Sequence, residues 1–147
     1  PPGTFPTLWK NDDKFRESYL DIYPGYYFTG DGGYYDTDGY IYIMGRVDDV
    51  INVAGHRLST GAMEEVISQH PDVAECAVVG AMDDENLVKP KAFVVLNQGF
   101  APSPELEKEL KTWVLDRLAK FKYPRWVVFI DSLPKTATGK IQRFKLR

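Results

Sequence analysis

Val73-Ala74-Glu75-Cys76-Ala77-Val78-Val79-Gly80-Ala81 is the run from which the fold can be read. A short apolar run broken by one carboxylate and ended by turn residues reads as a buried strand. Met82-Asp83-Asp84-Glu85-Asn86 comes next as an exposed acidic turn, and Pro90–Leu96 is the next strand. Asn97–Pro104, rich in Pro, Gly and Ser, is a loop. From Pro104 to Lys120, Leu106, Leu110, Trp113, Val114 and Leu118 recur at three- to four-residue spacing, which predicts an amphipathic helix. Ser103 is its cap, with Glu105 and Glu107 in the first turn. Lys122-Tyr123-Pro124-Arg125 leads into a last strand, Trp126–Ile130.

Upstream of the opening strand, Ser59 or Thr60 caps a helix with Met63, Val66 and Ile67 on one face, ending near His70-Pro71. Glu64 and Glu65 fall near its first turn, where the helix dipole favours them. Before it, Arg46-Val47-Asp48-Asp49 leads into a short apolar strand that Gly55 interrupts. From about residue 49 the order is therefore β(β)–α–β–β–α–β. That is an α+β unit, a small mixed sheet with helices packed on one face, of the size of an autonomous domain. A boundary falls at the charged joint near Arg46–Asp49, dividing residues 1–47 from 48–147. A joint this short makes a hinge about one or two residues.

The first part has a different character. Asn11-Asp12-Asp13 is a helix start, Phe15, Tyr19 and Ile22 recur at helical spacing, and Pro24-Gly25 stops the helix. Tyr26-Tyr27-Phe28 is strand-like. Two β-rich runs around Thr37-Asp38-Gly39 predict a hairpin, whose tyrosines are β-surface packing. This part has too little apolar surface to fold alone and reads as the edge of something larger.

Composition bounds the rest. The chain has 147 residues, 44% of them hydrophobic, and a formal net charge of -3. That suffices for a core and does not mark a nucleic-acid binder, although the closing segment is basic. No apolar run approaches the roughly 20 residues that span a bilayer. Cys76, the single cysteine, has no internal disulfide partner and reads as a small core residue in a reducing compartment. His56 and His70 have no metal-ligating neighbours at ligand spacing, so no metal site is read.

Two stretches point to chemistry. Asp31 sits among glycines at the end of an aromatic run, where the backbone lets a ligand approach; a carboxylate there accepts two hydroxyls, as from a ribose, or satisfies its own turn. Leu133-Pro134-Lys135-Thr136-Ala137-Thr138-Gly139-Lys140-Ile141-Gln142-Arg143 is a mobile, polar, positively charged loop. It is either a device that brings one ammonium to a phosphate or carboxylate, or a solvated loop with surface lysines.

Tyr27-Phe28-Thr29-Gly30-Asp31, Gly45-Arg46-Val47-Asp48-Asp49-Val50-Ile51-Asn52-Val53-Ala54-Gly55-His56-Arg57 and Pro134-Lys135-Thr136-Ala137-Thr138-Gly139-Lys140-Ile141 stand in fixed order. In order and spacing they closely resemble the C-terminal region of the adenylate-forming acyl-CoA synthetases, over essentially the whole chain. Residues 5–80 look most like acetyl- and propionyl-type enzymes, and residues 87–147 like aryl and medium-chain ligases. The resemblance implies that residues 1–47 close a large N-terminal adenylation domain, incomplete here, and that 48–147 form a small mobile lid. It implies ATP, Mg2+ and CoA as substrates or cofactors, a small carboxylic acid as the other substrate, and the N-terminal domain as docking partner.

Residue by residue, Lys140 matches the lysine that enters the site for adenylation. Asp31 and Arg46 match nucleotide-binding positions, and Asp48 the hinge. Gly55, His56 and Arg57 match the CoA-binding stretch, with Arg57 also reaching the nucleotide phosphates. Where relatives carry a basic residue for the CoA 3′-phosphate, this chain has Asp83-Asp84-Glu85-Asn86, leaving Lys89 or Lys91 as substitutes. The implied location is cytoplasmic, or the mitochondrial matrix. The fragment alone is expected to be inactive; the alternative is a stand-alone module that holds CoA or a carrier arm without ligase activity.

Overall fold

The protein divides into two compact units, Pro1–Val47 and Asp48–Arg147. The structure, a computed structural model, describes residues 3–53, 56–118 and 122–147, with Met44, His56 and Arg57 described in their backbone only.

The first unit begins with α1 (Asp12–Tyr19), capped by Asn11, whose side chain accepts from Lys14 N–H. The helix stops at Leu20, earlier than Pro24-Gly25 suggested, and Ile22 is left exposed. Aromatic packing holds this part of the unit together: Phe5, Phe15, Tyr19 and Tyr27 cluster, with the Tyr19 and Tyr27 rings stacked at 5.2 Å. Tyr27 joins this cluster and Tyr26–Phe28 forms no strand, so side-chain packing overrides local β-propensity there. The hairpin pairs β1 (Asp31–Tyr35) with β2 (Ile41–Arg46) in antiparallel register, with a bulge between Gly32 and Gly33. Its Asp36 carboxylate accepts from Asp38 and Tyr40 N–H, closing the turn.

In the second unit, a small antiparallel pair, β3 (Ile51–Val53) and β4 (His56–Leu58), precedes α2 (Thr60–Ser68). Ser59 is the cap, its hydroxyl accepting from Ala62 N–H. β5 (Val73–Met82) pairs antiparallel with β6 (Val88–Leu96). β7 (Trp126–Phe129) pairs parallel to β6, giving a mixed sheet in the order β5-β6-β7. A parallel neighbour needs a crossover, and α3 (Pro104–Arg117) supplies it. Ser103 caps α3 and Pro104 enters its first turn, where its missing N–H costs nothing.

The period-two alternation of the strands sorts the core into two layers. Cys76, Val78, Ala92, Val94 and Val127 face one way and bury against Met63, Val66 and Ile67 of α2 and Leu106, Leu110 and Val114 of α3. Both helices therefore lie on one face of the sheet, as the pattern predicted. The two helices are also tied by a polar bond: the Trp113 indole N–H donates at 2.9 Å to the Val66 carbonyl, in the last turn of α2, which also accepts from Gln69 N–H at 3.3 Å. Ala77, Val79 and Phe93 face the other way, and the closing segment covers them through Leu133, with Ile141 and Leu146 packed alongside. The sequence pattern of the Lys140 segment suggests a free polar loop; its apolar residues instead make it the cover of the sheet's second face.

Candidate functional site

Asp31 and Arg46 are cross-strand partners at the open end of the hairpin. Arg46 Nη1 donates to the Thr29 carbonyl at 2.6 Å and lies 3.8 Å from Asp31 Oδ1. Gly30 is required by this arrangement. Its φ is +76°, and a Cβ there would lie 2.5 Å from the guanidinium. The absence of a Cβ at Gly30 thus leaves room for the Arg46 guanidinium near Asp31. The pair is exposed, and its long Arg46–Asp31 distance leaves carboxylate lone pairs open to hydroxyl donors.

Asp48 is exposed within a single 3-10 turn, Val47–Asp49, and its carbonyl accepts from Arg147 Nη2 at 3.2 Å. Gly55 lies outside the described residues. The backbones of His56 and Arg57 pair in β4 with Val53 and Asn52; their side chains lie outside the described residues.

Lys140 stands on a closed turn. Thr136 N–H donates to the Lys140 carbonyl at 2.8 Å, and Gly139 N–H donates to Thr136 O at 3.0 Å. The Thr136 hydroxyl accepts from Lys140 N–H at 3.1 Å. Gly139 has φ +84°, a conformation that closes the turn and that a side chain would strain. Lys135 and Ile141 bridge the base of the turn, and Gln142 N–H donates to Pro134 O at 2.8 Å. Lys140 itself is exposed, with its ammonium on a long flexible stem. Lys135 is held differently: its Nζ pairs with Glu75 Oε1 on β5 at 2.6 Å.

Glu64, expected to serve the α2 dipole, lies beyond the first turn and has other partners. Its Oε1 accepts from Val78 N–H at 2.8 Å, satisfying an outward amide of the edge strand β5. Arg143 clasps the same carboxylate with two nitrogens, Nη2 lying 2.8 Å from Oε2 and Nε 3.3 Å from Oε1. Arg143 Nε is also 3.9 Å from Asp49 Oδ2, and Arg147 Nη2 donates to Asp49 Oδ1 at 2.7 Å. Glu64, Arg143, Asp49 and Arg147 form one network that no local sequence spacing indicated.

The acidic turn is self-contained. Asp83 pairs with Lys89 and accepts from Glu85 and Leu87 N–H. The Lys89 hydrogen bond, then that from Leu87 N–H, holds the Asp83 carboxyl below its ordinary range. Of the two lysines considered for the CoA 3′-phosphate, Lys89 is thus turned to Asp83, while Lys91 lies over the Phe93 ring. Cys76 is buried, and desolvation pushes its thiol up to about 11. His70 is buried too. Its Nδ1 accepts from Asp72 N–H and its Nε2 meets Glu109, a pattern that a neutral ring protonated on Nε2 satisfies. Among the described residues, no group of three or more His, Cys, Asp or Glu could hold a metal ion, so none is assigned to Mg2+. No helix among the described residues is long and apolar enough to cross a membrane.

The model of the AMP-binding enzyme C-terminal domain matches residues 62–140, ending on Lys140. Acetyl-coenzyme A synthetase 1 of Saccharomyces cerevisiae is 48% identical over 99% of the chain, which spans 22% of that protein. Among solved structures, an anthranilate CoA ligase in complex with anthranoyl-AMP aligns with a TM-score of 0.84 and 42% identity, over 96% of this chain and 27% of that one. A benzoate CoA ligase from Burkholderia xenovorans aligns with a TM-score of 0.79 and 47% identity, also over 96% of this chain and 27% of that one. Acetyl-type and aryl-type proteins, both implied by the sequence, are thus among the relatives. The chain spans about a quarter of the length of these proteins. The match from Ala62 to Lys140, the shared α+β fold and the relatives at this identity agree: the chain belongs to the AMP-binding enzyme C-terminal domain family.

Proposed function

We propose that this chain is the C-terminal portion of an AMP-forming acid–thiol ligase, an acyl-CoA synthetase. In the first half-reaction a carboxylate oxygen attacks the α-phosphorus of ATP, forming acyl-AMP and releasing pyrophosphate. In the second, the CoA sulfur attacks the acyl carbon, the thiol proton leaves to solvent, and AMP departs. Lys140 is the catalytic residue. Its ammonium offsets the repulsion between the incoming carboxylate and the phosphate oxygens and orients the nucleophile.

Asp31 accepts the ribose hydroxyls and Arg46 contacts the nucleotide. Gly55, His56 and Arg57 form the CoA-binding stretch, and Arg57 also reaches the nucleotide phosphates. Asp48 is the hinge about which residues 48–147 turn between the half-reactions, docking on the N-terminal domain that residues 1–47 complete. Mg2+, when bound with ATP, neutralises phosphate charge; none of the described residues is assigned to hold it. The compartment is the cytoplasm or the mitochondrial matrix.

One observation supports this reading above the others. The family match runs to an exposed lysine held on a hydrogen-bonded turn, so position is set by the backbone while the charge stays free to reach a substrate. The test compares the 147-residue chain with the longer protein that contains it, each incubated with ATP, Mg2+, acetate or benzoate, and CoA. Acyl-AMP and thioester are expected only from the longer protein. Acyl-AMP from the chain alone contradicts the division of labour. Micromolar CoA binding by the chain, with no ligase activity in the longer protein, replaces the proposal with a binding module.

A further inference from the structure

The Glu64–Arg143–Asp49–Arg147 network joins three places far apart in sequence. Arg143 lies three residues beyond Lys140, at the start of a single 3-10 turn, Arg143–Lys145, just past the Lys135–Ile141 bridge that closes the base of the Lys140 turn. Its guanidinium is forked on Glu64, which is itself bonded to the β5 backbone at Val78. Asp49, adjacent to Asp48, is held by Arg147 at 2.7 Å and lies 3.9 Å from Arg143. Both carboxylates are largely shielded, with side-chain exposures of 16% for Glu64 and 13% for Asp49. Bidentate arginine–carboxylate pairs fix orientation as well as distance.

We infer that this network is a strut, in which Arg143, Glu64 and Asp49 are positioning residues that lock the Lys140 turn to the segment after Asp48. The inference rests on the proposed roles of Lys140 and Asp48. A long flexible lysine delivers its charge accurately only if the base of its loop is rigid with respect to the pivot. Leu133, Ile141 and Leu146 hold that loop against the sheet through non-directional apolar contacts. The forked ion pair adds the directional restraint. A turn at Asp48 is then passed to Lys140 without slack. A displacement near 1 Å at the reacting centre can cost about a hundredfold in rate, so losing the strut is expected to matter to chemistry more than to binding.

The experiment uses the longer protein and measures acyl-AMP formation and thioester formation from supplied acyl-AMP separately, for Arg143→Gln, Arg143→Lys, Glu64→Gln and Asp49→Asn. The expected result for Arg143→Gln is a fall of about tenfold to a hundredfold in kcat for acyl-AMP formation, with KM for ATP and acid unchanged. Thioester formation stays within about twofold, and Arg143→Lys recovers part of the loss. Glu64→Gln keeps an oxygen for Val78 N–H and Asp49→Asn is isosteric; both give the reading if Arg143→Gln does not fold. Equal slowing of both half-reactions, wild-type rates in both, or a change confined to KM overturns the strut. Lys140→Ala is run alongside. If it leaves acyl-AMP formation intact, the functional proposal fails; if it abolishes that step while the strut variants do not, only the strut fails.

Discussion

Two arginine–carboxylate pairs in this protein use the same chemistry to opposite ends. Arg46 and Asp31 lie 3.8 Å apart, with side-chain exposures of 49% and 39%. Arg143 and Glu64 lie 2.8 Å apart, with exposures of 27% and 16%, and Glu64 carries a backbone amide as well. An exposed, loosely engaged pair contributes little to stability but keeps its carboxylate oxygens available. A shielded, saturated pair is committed to holding structure, and removing one member strands the other. Residue type alone does not separate the two pairs; side-chain exposure and the backbone amide held by Glu64 do.

The substitution expected to do most damage is Glu64→Ala. It removes the acceptor of Val78 N–H and the counter-charge of Arg143 together, and is expected to cost about 2–3 kcal/mol because Glu64 is only partly buried. For a domain of this size that lowers Tm by on the order of 10 °C in thermal unfolding. Asp31→Ala probes the contrast from the other side. Its unfolding free energy should stay within about 0.5 kcal/mol of wild type. Calorimetry with ATP on the longer protein should show binding weakened by about tenfold or more, the size of hydrogen bonds to a charged group.

Smaller effects come from groups outside both pairs. The Cys76 thiol is raised from its ordinary 9.0 to about 11 in the fold. The folded state therefore holds the proton more tightly than the unfolded chain, and stability falls as pH rises from 9.0 to about 11. Cys76→Ala should flatten that slope in Tm against pH. Asp83 has the opposite sign: its folded value lies below 3.8, so its contribution is present above that pH and is lost as pH falls through the folded value. Asp83→Asn should loosen the Met82–Leu87 turn, read as faster amide exchange at Leu87, with little change in global unfolding.

Local signals predicted local structure well. Asn11, Ser59 and Ser103 each cap the helix they precede, and Leu106, Leu110 and Val114 bury on one face as their spacing requires. The Val73–Met82 strand and its antiparallel partner are explained by one apolar run and one turn. Failures came where distant residues decide. Tyr27 looks like strand and packs in an aromatic cluster with residues 5, 15 and 19. Glu64 looks like a dipole partner, yet its partner is 79 positions away at Arg143. The closing segment looks polar, but Leu133 and Ile141 are spaced so that the turn between them faces solvent while they meet the sheet. Asp31, Arg46 and Lys140 were legible as candidates because each stands in a short local motif, although Asp31 and Arg46 lie on two strands and meet only through the hairpin register. The network behind Lys140 was not, because its members meet only after the sheet has formed.

The decisive measurement is the ratio of the two half-reactions in Lys140→Ala of the longer protein. Acyl-AMP formation should fall by about two orders of magnitude or more, the cost of losing one charge-stabilising donor, while thioester formation from supplied acyl-AMP stays near wild type. Wild-type acyl-AMP formation, or an equal loss in both steps, would contradict the assignment of Lys140 to the first half-reaction.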